Sequence, residues 1–171
     1  NLKTIKYLVE EKGVDVNVRN NRKETVLHWA ASKGDVVIVK YLMEENNADV
    51  NAQDSIKSTV LHWAASKGNL DIIKYLIEEK NVDTNAQDKN SATVLHCAAR
   101  KGDLSVIRYL LEKSNADVNV PNDQGMTALH YAARKGYLAV IRYLVEEKNA
   151  DINARNCRGM TALHWAAKEG Y

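Results

Sequence analysis

Thr25-Val26-Leu27-His28-Trp29-Ala30-Ala31 decides the fold, because the phrase Thr-x-Leu-His-x-Ala-Ala returns at a fixed interval along the chain. Its threonines are Thr25, Thr59, Thr93, Thr127 and Thr161, each 34 residues after the last, followed by His28, His62, His96, His130 and His164. A period of roughly 20 to 50 residues denotes a stack of small units rather than a globule. Such a stack buries its core along an axis and works through its exposed face. The functional question therefore concerns surfaces before pockets.

Outward from the phrase, each unit reads as turn, helix, turn, helix, return strand. Asn20 to Glu24 is polar and turn-like. Thr25 suits the N-cap, where a hydroxyl accepts an orphan backbone N–H. Gly34 recurs as Gly68, Gly102, Gly136 and Gly170, which predicts a left-handed residue reversing the chain into a second helix. That helix runs through Val36 to Met43, with Ile38, Val39 and Leu42 on one side. It ends at Asn47, and the matching positions are Gly13, Asn81, Asn115 and Asn149. Only Gly and Asn occur there, the residues that best tolerate a left-handed cap. Ala48-Asp49-Val50-Asn51-Ala52 then reads as an extended return segment.

Thr25 to Ala31, the helix-ending Gly34 and Ala48 to Ala52 together resemble the ankyrin repeat, and the likeness covers essentially the whole chain. It implies an all-α repeat solenoid of ankyrin-type helix-turn-helix units joined by β-hairpin-like loops. The array divides into a partial repeat at 1–20, full repeats at 21–54, 55–88, 89–122 and 123–156, and a partial repeat at 157–171. Three features depart from the family pattern. The usual Pro after Thr is Val26, Val60, Val94, Ala128 or Ala162. The period is 34 rather than ~33, with the extra residue at the end of the second helix. The hairpin Gly survives only as Gly125 and Gly159; Lys23, Lys57 and Ser91 replace it elsewhere. A non-Gly residue at φ > 0 is expected to be strained or differently turned. Neither end carries a polar capping unit: Leu2, Ile5 and Leu8 at one end, and Leu163, Ala166 and Ala167 at the other, keep the internal pattern. The natural protein is expected to continue at both ends.

Composition narrows the function classes. A net charge of +2 supplies no global pull on nucleic acid or an anionic membrane. Cys97 and Cys157 are the only cysteines, too few for a disulfide framework, and point to a reducing, intracellular and cytoplasmic setting. No apolar run approaches the roughly 18 residues of a membrane span.

The histidines stand one per repeat, and packed helices lie about 8–10 Å apart. Zinc needs nitrogens at about 2.1 Å, so a structural role at the helix start is expected. Glu44-Glu45, Glu78-Glu79 and Glu146-Glu147 are adjacent in sequence and do not face each other on a helix; they read as a solvated rim. No phosphate loop and no nucleophile-base pair is present. The reading is of a non-enzyme with no catalytic residue, cofactor or metal.

On a wheel of ~100° per residue with Leu27 at zero, Ala30 and Ala31 fall within ~60°, whereas Trp29 falls at ~200° and Lys33 at ~240°. The Trp29 position carries Trp63, Cys97, Tyr131 and Trp165 in the other repeats. Beside it lie Lys67, Arg100, Lys101, Arg134, Lys135 and Lys168. The resemblance to ankyrin arrays places this face on the concave groove with the hairpin tips. Trp, Tyr and Arg are enriched in binding hot spots. The tips vary most, with Arg22, Ile56, Met126, Arg158 and Met160 as candidate contacts, and Ile56, Met126 and Met160 as exposed apolar anchors. The recurrent Tyr7, Tyr41, Tyr75, Tyr109 and Tyr143 read as inter-repeat packing.

The leading expectation is a scaffold binding a protein partner, an acidic or phosphorylated segment, through groove and tips. The alternatives are nucleic-acid binding along the basic stripe and a passive spacer in a larger protein. The phrase Tyr-Leu-x-Glu-Glu-Lys-Asn-Ala-Asp is also similar to ankyrin arrays of intracellular bacterial symbionts, which implies an effector acting on a host target.

Overall fold

Each repeated phrase starts a helix because threonine and histidine cap it jointly. Thr25 is extended, with φ −101° and ψ 167°, and its side chain meets the His28 backbone N–H. In return, His28 Nδ1 accepts the Thr25 N–H at 3.1 Å. This is a capping box in which His takes the place usually held by Glu or Gln. The same box opens at Thr59, Thr93, Thr127 and Thr161.

The computed structural model describes residues 1–171, in two compact units, residues 1–82 and 83–171. The first contains α1 (Leu2–Lys6), α2 (Val26–Lys33), α3 (Val36–Lys40), α4 (Val60–Lys67) and α5 (Leu70–Glu78). The second contains α6 (Val94–Lys101), α7 (Leu104–Lys113), α8 (Ala128–Arg134), α9 (Leu138–Arg142) and α10 (Ala162–Glu169). In the first unit α2 packs on α4; in the second α8 packs on α6 and on α10. Leu27, Ala30 and Ala31 are buried, as are their counterparts Leu61, Ala64 and Ala65. The wheel thus identifies the packing face, and alanine lets the helices approach closely. After each of these helices the chain reverses at a left-handed glycine, Gly34 at φ 78° and Gly102 at φ 82° among them.

The second helices end in two ways, and α5 and α7 stay α-helical throughout. α1, α3 and α9 run on into π-helical turns at Tyr7–Glu11, Tyr41–Glu45 and Tyr143–Glu147. A π turn holds one residue more than an α turn. Asn47 closes the helix at φ 53°, and Ala48 N–H reaches back six residues to Leu42 O at 2.9 Å. Gly13, Asn81, Asn115 and Asn149 are likewise left-handed.

The segment from Ala48 to Ala52 is not extended, contrary to the sequence reading. Asp49 Oδ1 accepts the Asn51 N–H at 2.9 Å, and Ala52 N–H reaches Asp49 O at 3.2 Å, so the chain turns. Short polar side chains that bond their own backbone compete with strand formation. No strand forms; a single bridge joins Gln53 and Thr59.

The hairpins also differ from expectation. Lys23, Lys57 and Ser91 occupy the same left-handed turn as Gly125 and Gly159, at φ 58°, 60° and 56° against 69° and 69°. An Asx residue at the foot of each hairpin enforces it. Asn20 Oδ1 accepts the N–H groups of Arg22 (2.9 Å) and Glu24 (3.0 Å). Asp54, Asp88, Asn122 and Asn156 each do the same for the residues two and four places on. Two anchored N–H groups offset a left-handed side chain that costs about 1–2 kcal/mol. Neighbouring hairpins are joined by single backbone bonds, Ser55 N–H to Arg22 O at 2.8 Å and Cys157 N–H to Gln124 O at 2.9 Å.

Gly125 and Gly159 separate strain from crowding. A Cβ on Gly125 would stand 2.8 Å from Asn156 Cα and 2.9 Å from Cys157 N, whereas one on Gly159 meets nothing within 4 Å. Gly159→Ala is predicted to cost only the left-handed penalty of about 1–2 kcal/mol, and Gly125→Ala clearly more, in urea unfolding. Equal losses would contradict the crowded hairpin contact.

The histidines make stability pH-dependent. Burial holds His28 and His130 below the ordinary 6.5. In the folded chain they are therefore neutral where the unfolded chain is protonated, so the unfolded state binds more protons. Their contribution is present above about pH 6.5 and is lost as pH falls toward the depressed native values. Unfolding midpoints should fall between about pH 7.5 and 5. The double variant His28→Ala, His130→Ala should flatten that fall while losing about 1–3 kcal/mol per site at the higher pH. An unchanged pH slope would remove the histidines from the account.

Candidate partner-binding surface

His28, His96 and His130 are engaged in the scaffold through both ring nitrogens. With Nδ1 accepting at the helix cap, Nε2 bonds the next hairpin: His28 to Ser58 O at 3.3 Å, His96 to Met126 O at 2.9 Å, His130 to Met160 O at 3.1 Å. No group of three or more His, Cys, Asp or Glu side chains could hold a metal ion.

The second helices direct their charges at each other. Tyr41, Tyr75 and Tyr143 are buried and donate their hydroxyls to Glu10, Glu44 and Glu112 of the preceding repeat, at 2.9, 2.7 and 3.0 Å. Lys6, Lys40 and Arg108 lie over the same three rings at 4.7, 5.1 and 4.1 Å. Arg108 also donates two bonds to Glu147, at 3.0 and 3.2 Å. Burial, reinforced by the bond to Glu112, pushes the Tyr143 phenol up to about 12. The glutamates are exposed, yet several of them are acceptors for the next repeat. The assignment of the tyrosines to inter-repeat packing agrees with this geometry at Tyr41, Tyr75 and Tyr143, whereas Tyr7 is exposed.

The aromatic column is less open than a single helical wheel implies. Trp29 is 49% exposed. Trp63 is half-buried, edge-on to Trp29 and to His28 at 5.4 Å each, and its Nε1 donates to Asp54 Oδ2 at 3.0 Å. Cys97 is buried, and burial pushes its thiol up to about 11. Tyr131 is half-buried against His96, its hydroxyl accepting from Asn122 Nδ2 at 3.0 Å. Trp165 is only 6% exposed. The wheel of one helix contains no neighbours; these side chains close gaps against adjacent segments instead of projecting into solvent.

At the tips, Arg22, Ile56 and Arg158 are exposed, as expected. Met126 is not: it is 2% exposed, with its sulfur accepting from Asn156 Nδ2 at 3.3 Å. Met160 is half-buried. Both precede a capping threonine, and that position turns inward so that its carbonyl can meet the histidine. Glu24 and Ser58 are buried at the same position, so the effect belongs to the backbone.

Six cations at or just beyond the first-helix ends remain exposed and outside every ion pair. They are Lys33 and Lys67 in the first unit, and Arg100, Lys101, Lys135 and Lys168 in the second. Arg134 differs, pairing with Glu169 at 3.6 Å and lying 4.9 Å from the Trp165 ring centroid. The sequence reading missed the hairpin-foot Asx residues and the tyrosine-to-glutamate bonds. The foot residues had a signal, since Asn or Asp stands at 20, 54, 88, 122 and 156.

Jointly capped helices in pairs, reversing at left-handed residues and linked by Asx-braced loops, define an all-α repeat solenoid. The chain belongs to the ankyrin-repeat family: the description "Ankyrin repeats (3 copies)" matches residues 1–88, 61–156 and 121–171. A comparison with curated proteins found no match. No helix is long and apolar enough to cross a membrane.

Tyr143→Phe tests the tyrosine contacts. It should cost about 1 kcal/mol, the low end for a bond to a half-exposed carboxylate. It should also delete the part of the ultraviolet phenolate titration near pH 12. Loss of amplitude near the ordinary value of about 10 would contradict the buried Tyr143–Glu112 contact.

Proposed function

We propose that this chain is a non-catalytic scaffold that captures an acidic segment of a protein partner. Ankyrin repeats are generally protein-protein interaction modules, and the family is typically non-enzymatic. The observation that carries the finer reading is the partition of charge. The first helices α2, α4, α6 and α8 carry Lys33, Lys67, Arg100, Lys101 and Arg134 and no Asp or Glu, whereas every second helix, with the π turn where it has one, carries carboxylates among its cations. Lys33, Lys67, Arg100, Lys101 and Lys135 are exposed and in no ion pair. Unpaired cations near a helix C-terminus also complement its dipole, but that role needs one charge and not two neighbours such as Arg100 and Lys101. In the first unit Trp29 and the tip residues Arg22 and Ile56 add exposed contact surface, and in the second the tip residue Arg158 does. A preformed surface gains affinity because little must be ordered on binding.

The test is selection from a displayed peptide library, followed by measured affinities. The chain should select peptides rich in Asp and Glu. Lys67→Glu, Arg100→Glu and Lys135→Glu together should weaken them tenfold or more, with stability changed by no more than about 0.5 kcal/mol per site. Undiminished binding after charge reversal would contradict the proposal. Retention of single-stranded DNA, falling steeply with salt, in place of peptide would favour the nucleic-acid reading.

A further inference from the structure

Trp165 is buried, and its indole Nε1 is the one buried side-chain polar atom without a hydrogen-bond partner. An orphaned buried donor of this kind costs about 1–3 kcal/mol. The ring forms part of the wall of a cleft of about 440 Å³, lined also by Arg134, Asn156, Arg158 and Lys168. Lys168 lies 5.0 Å and Arg134 4.9 Å from the ring centroid, and neither Arg158 nor Lys168 is in an ion pair. Asp123, the cleft's one acidic lining residue, accepts from the Ser91 hydroxyl. Arg134 pairs with Glu169 at 3.6 Å, so the lining's unpaired cations are Arg158 and Lys168, beside an indole N–H with nothing to donate to.

The molecule itself shows what answers that N–H. In the repeat at 55–88, Trp63 donates to Oδ2 of Asp54, the hairpin-foot residue nine places earlier, at 3.0 Å. The foot residue nine places before Trp165 is Asn156. Its Oδ1 is taken by the N–H groups of Arg158 and Met160, and its second terminus is an NH2 group that donates to Met126. Where Asp54 offers a carboxylate oxygen, Asn156 offers only another donor. One Asp-to-Asn difference removes both the acceptor and a negative charge beside Arg158 and Lys168.

We infer that this cleft binds a carboxylate side chain of a partner peptide, Glu or Asp, which supplies in trans the oxygen that Asp54 supplies in cis. The flexible ends of Arg134 and Lys168 cover the ring; drawn onto the incoming carboxylate, they uncover the indole N–H for it. Arg158 on the adjacent tip closes the ion pair. The inference rests on the protein-binding reading and assigns a specific subsite to it.

The experiment is a titration of the whole chain with hexaglutamate, following the three tryptophan indole N–H resonances, with hexaglutamine and oligothymidylate as parallel probes. Hexaglutamate should move the Trp165 resonance saturably, and hexaglutamine should leave it in place. Asn156→Asp restores the internal acceptor and should weaken the response tenfold or more while raising the unfolding midpoint. Trp165→Phe, which keeps an aromatic ring and removes the donor, should weaken hexaglutamate comparably. If hexaglutamate binds at Arg100 and Lys101 but leaves the Trp165 resonance unmoved, this subsite is overturned and the scaffold reading stands. Hexaglutamate bound nowhere overturns both. A Trp165 response to oligothymidylate alone overturns the carboxylate assignment.

Discussion

The imidazole at the third position of α2, α6 and α8 holds two structures together at once. On one side His28, His96 and His130 accept a threonine N–H through Nδ1 and so start their own helix; on the other, Nε2 bonds the hairpin carbonyl of the following repeat 30 residues on. A glutamate in the same capping box would start the helix without reaching the next hairpin. Because the ring is rigid, the helix start fixes the hairpin's position, and the hairpin must present a carbonyl there. That requirement explains the inward turn at Ser58, Met126 and Met160, and the Asx brace that holds each hairpin to one geometry.

With the first helices joined through histidine, the second helices are joined through tyrosine. Each Tyr-Glu bond with its overlying cation fixes one second helix on the preceding one. Exposed ion pairs contribute little one at a time, about 0.2–1 kcal/mol, so a buried phenol beneath each pair matters more than the pair itself. The first helices α2, α4, α6 and α8 carry cations and no carboxylate, and their exposed basic ends are the proposed recognition surface.

Much of this was legible in single residues. Thr25 and His28 announced the cap, Gly34 and Asn47 the left-handed ends, and Leu27, Ala30 and Ala31 the packing face, because each depends on local backbone chemistry. The parts that were not legible depend on neighbours. Met126 looks like an exposed loop residue until the histidine of the preceding repeat claims its carbonyl. Trp165 falls on the outward side of its helix yet is covered by Arg134 and Lys168. Lys23 and Ser91 look unsuitable for φ > 0 until the oxygens of Asn20 and Asp88 are counted. The segment after Ala48 reads as a strand by position, but the Asp49 carboxylate bends it.

The central claim, that a neutral imidazole links the caps of α2, α6 and α8 to the hairpins that follow, is tested most directly by nitrogen-15 NMR of the histidine rings, followed from about pH 7.5 downward. The account predicts that the neutral rings carry the proton on Nε2 with a bare Nδ1 facing threonine, and that His28 and His130 become protonated only below the ordinary 6.5. Rings that carry the proton on Nδ1, or that protonate above the ordinary value, would contradict it.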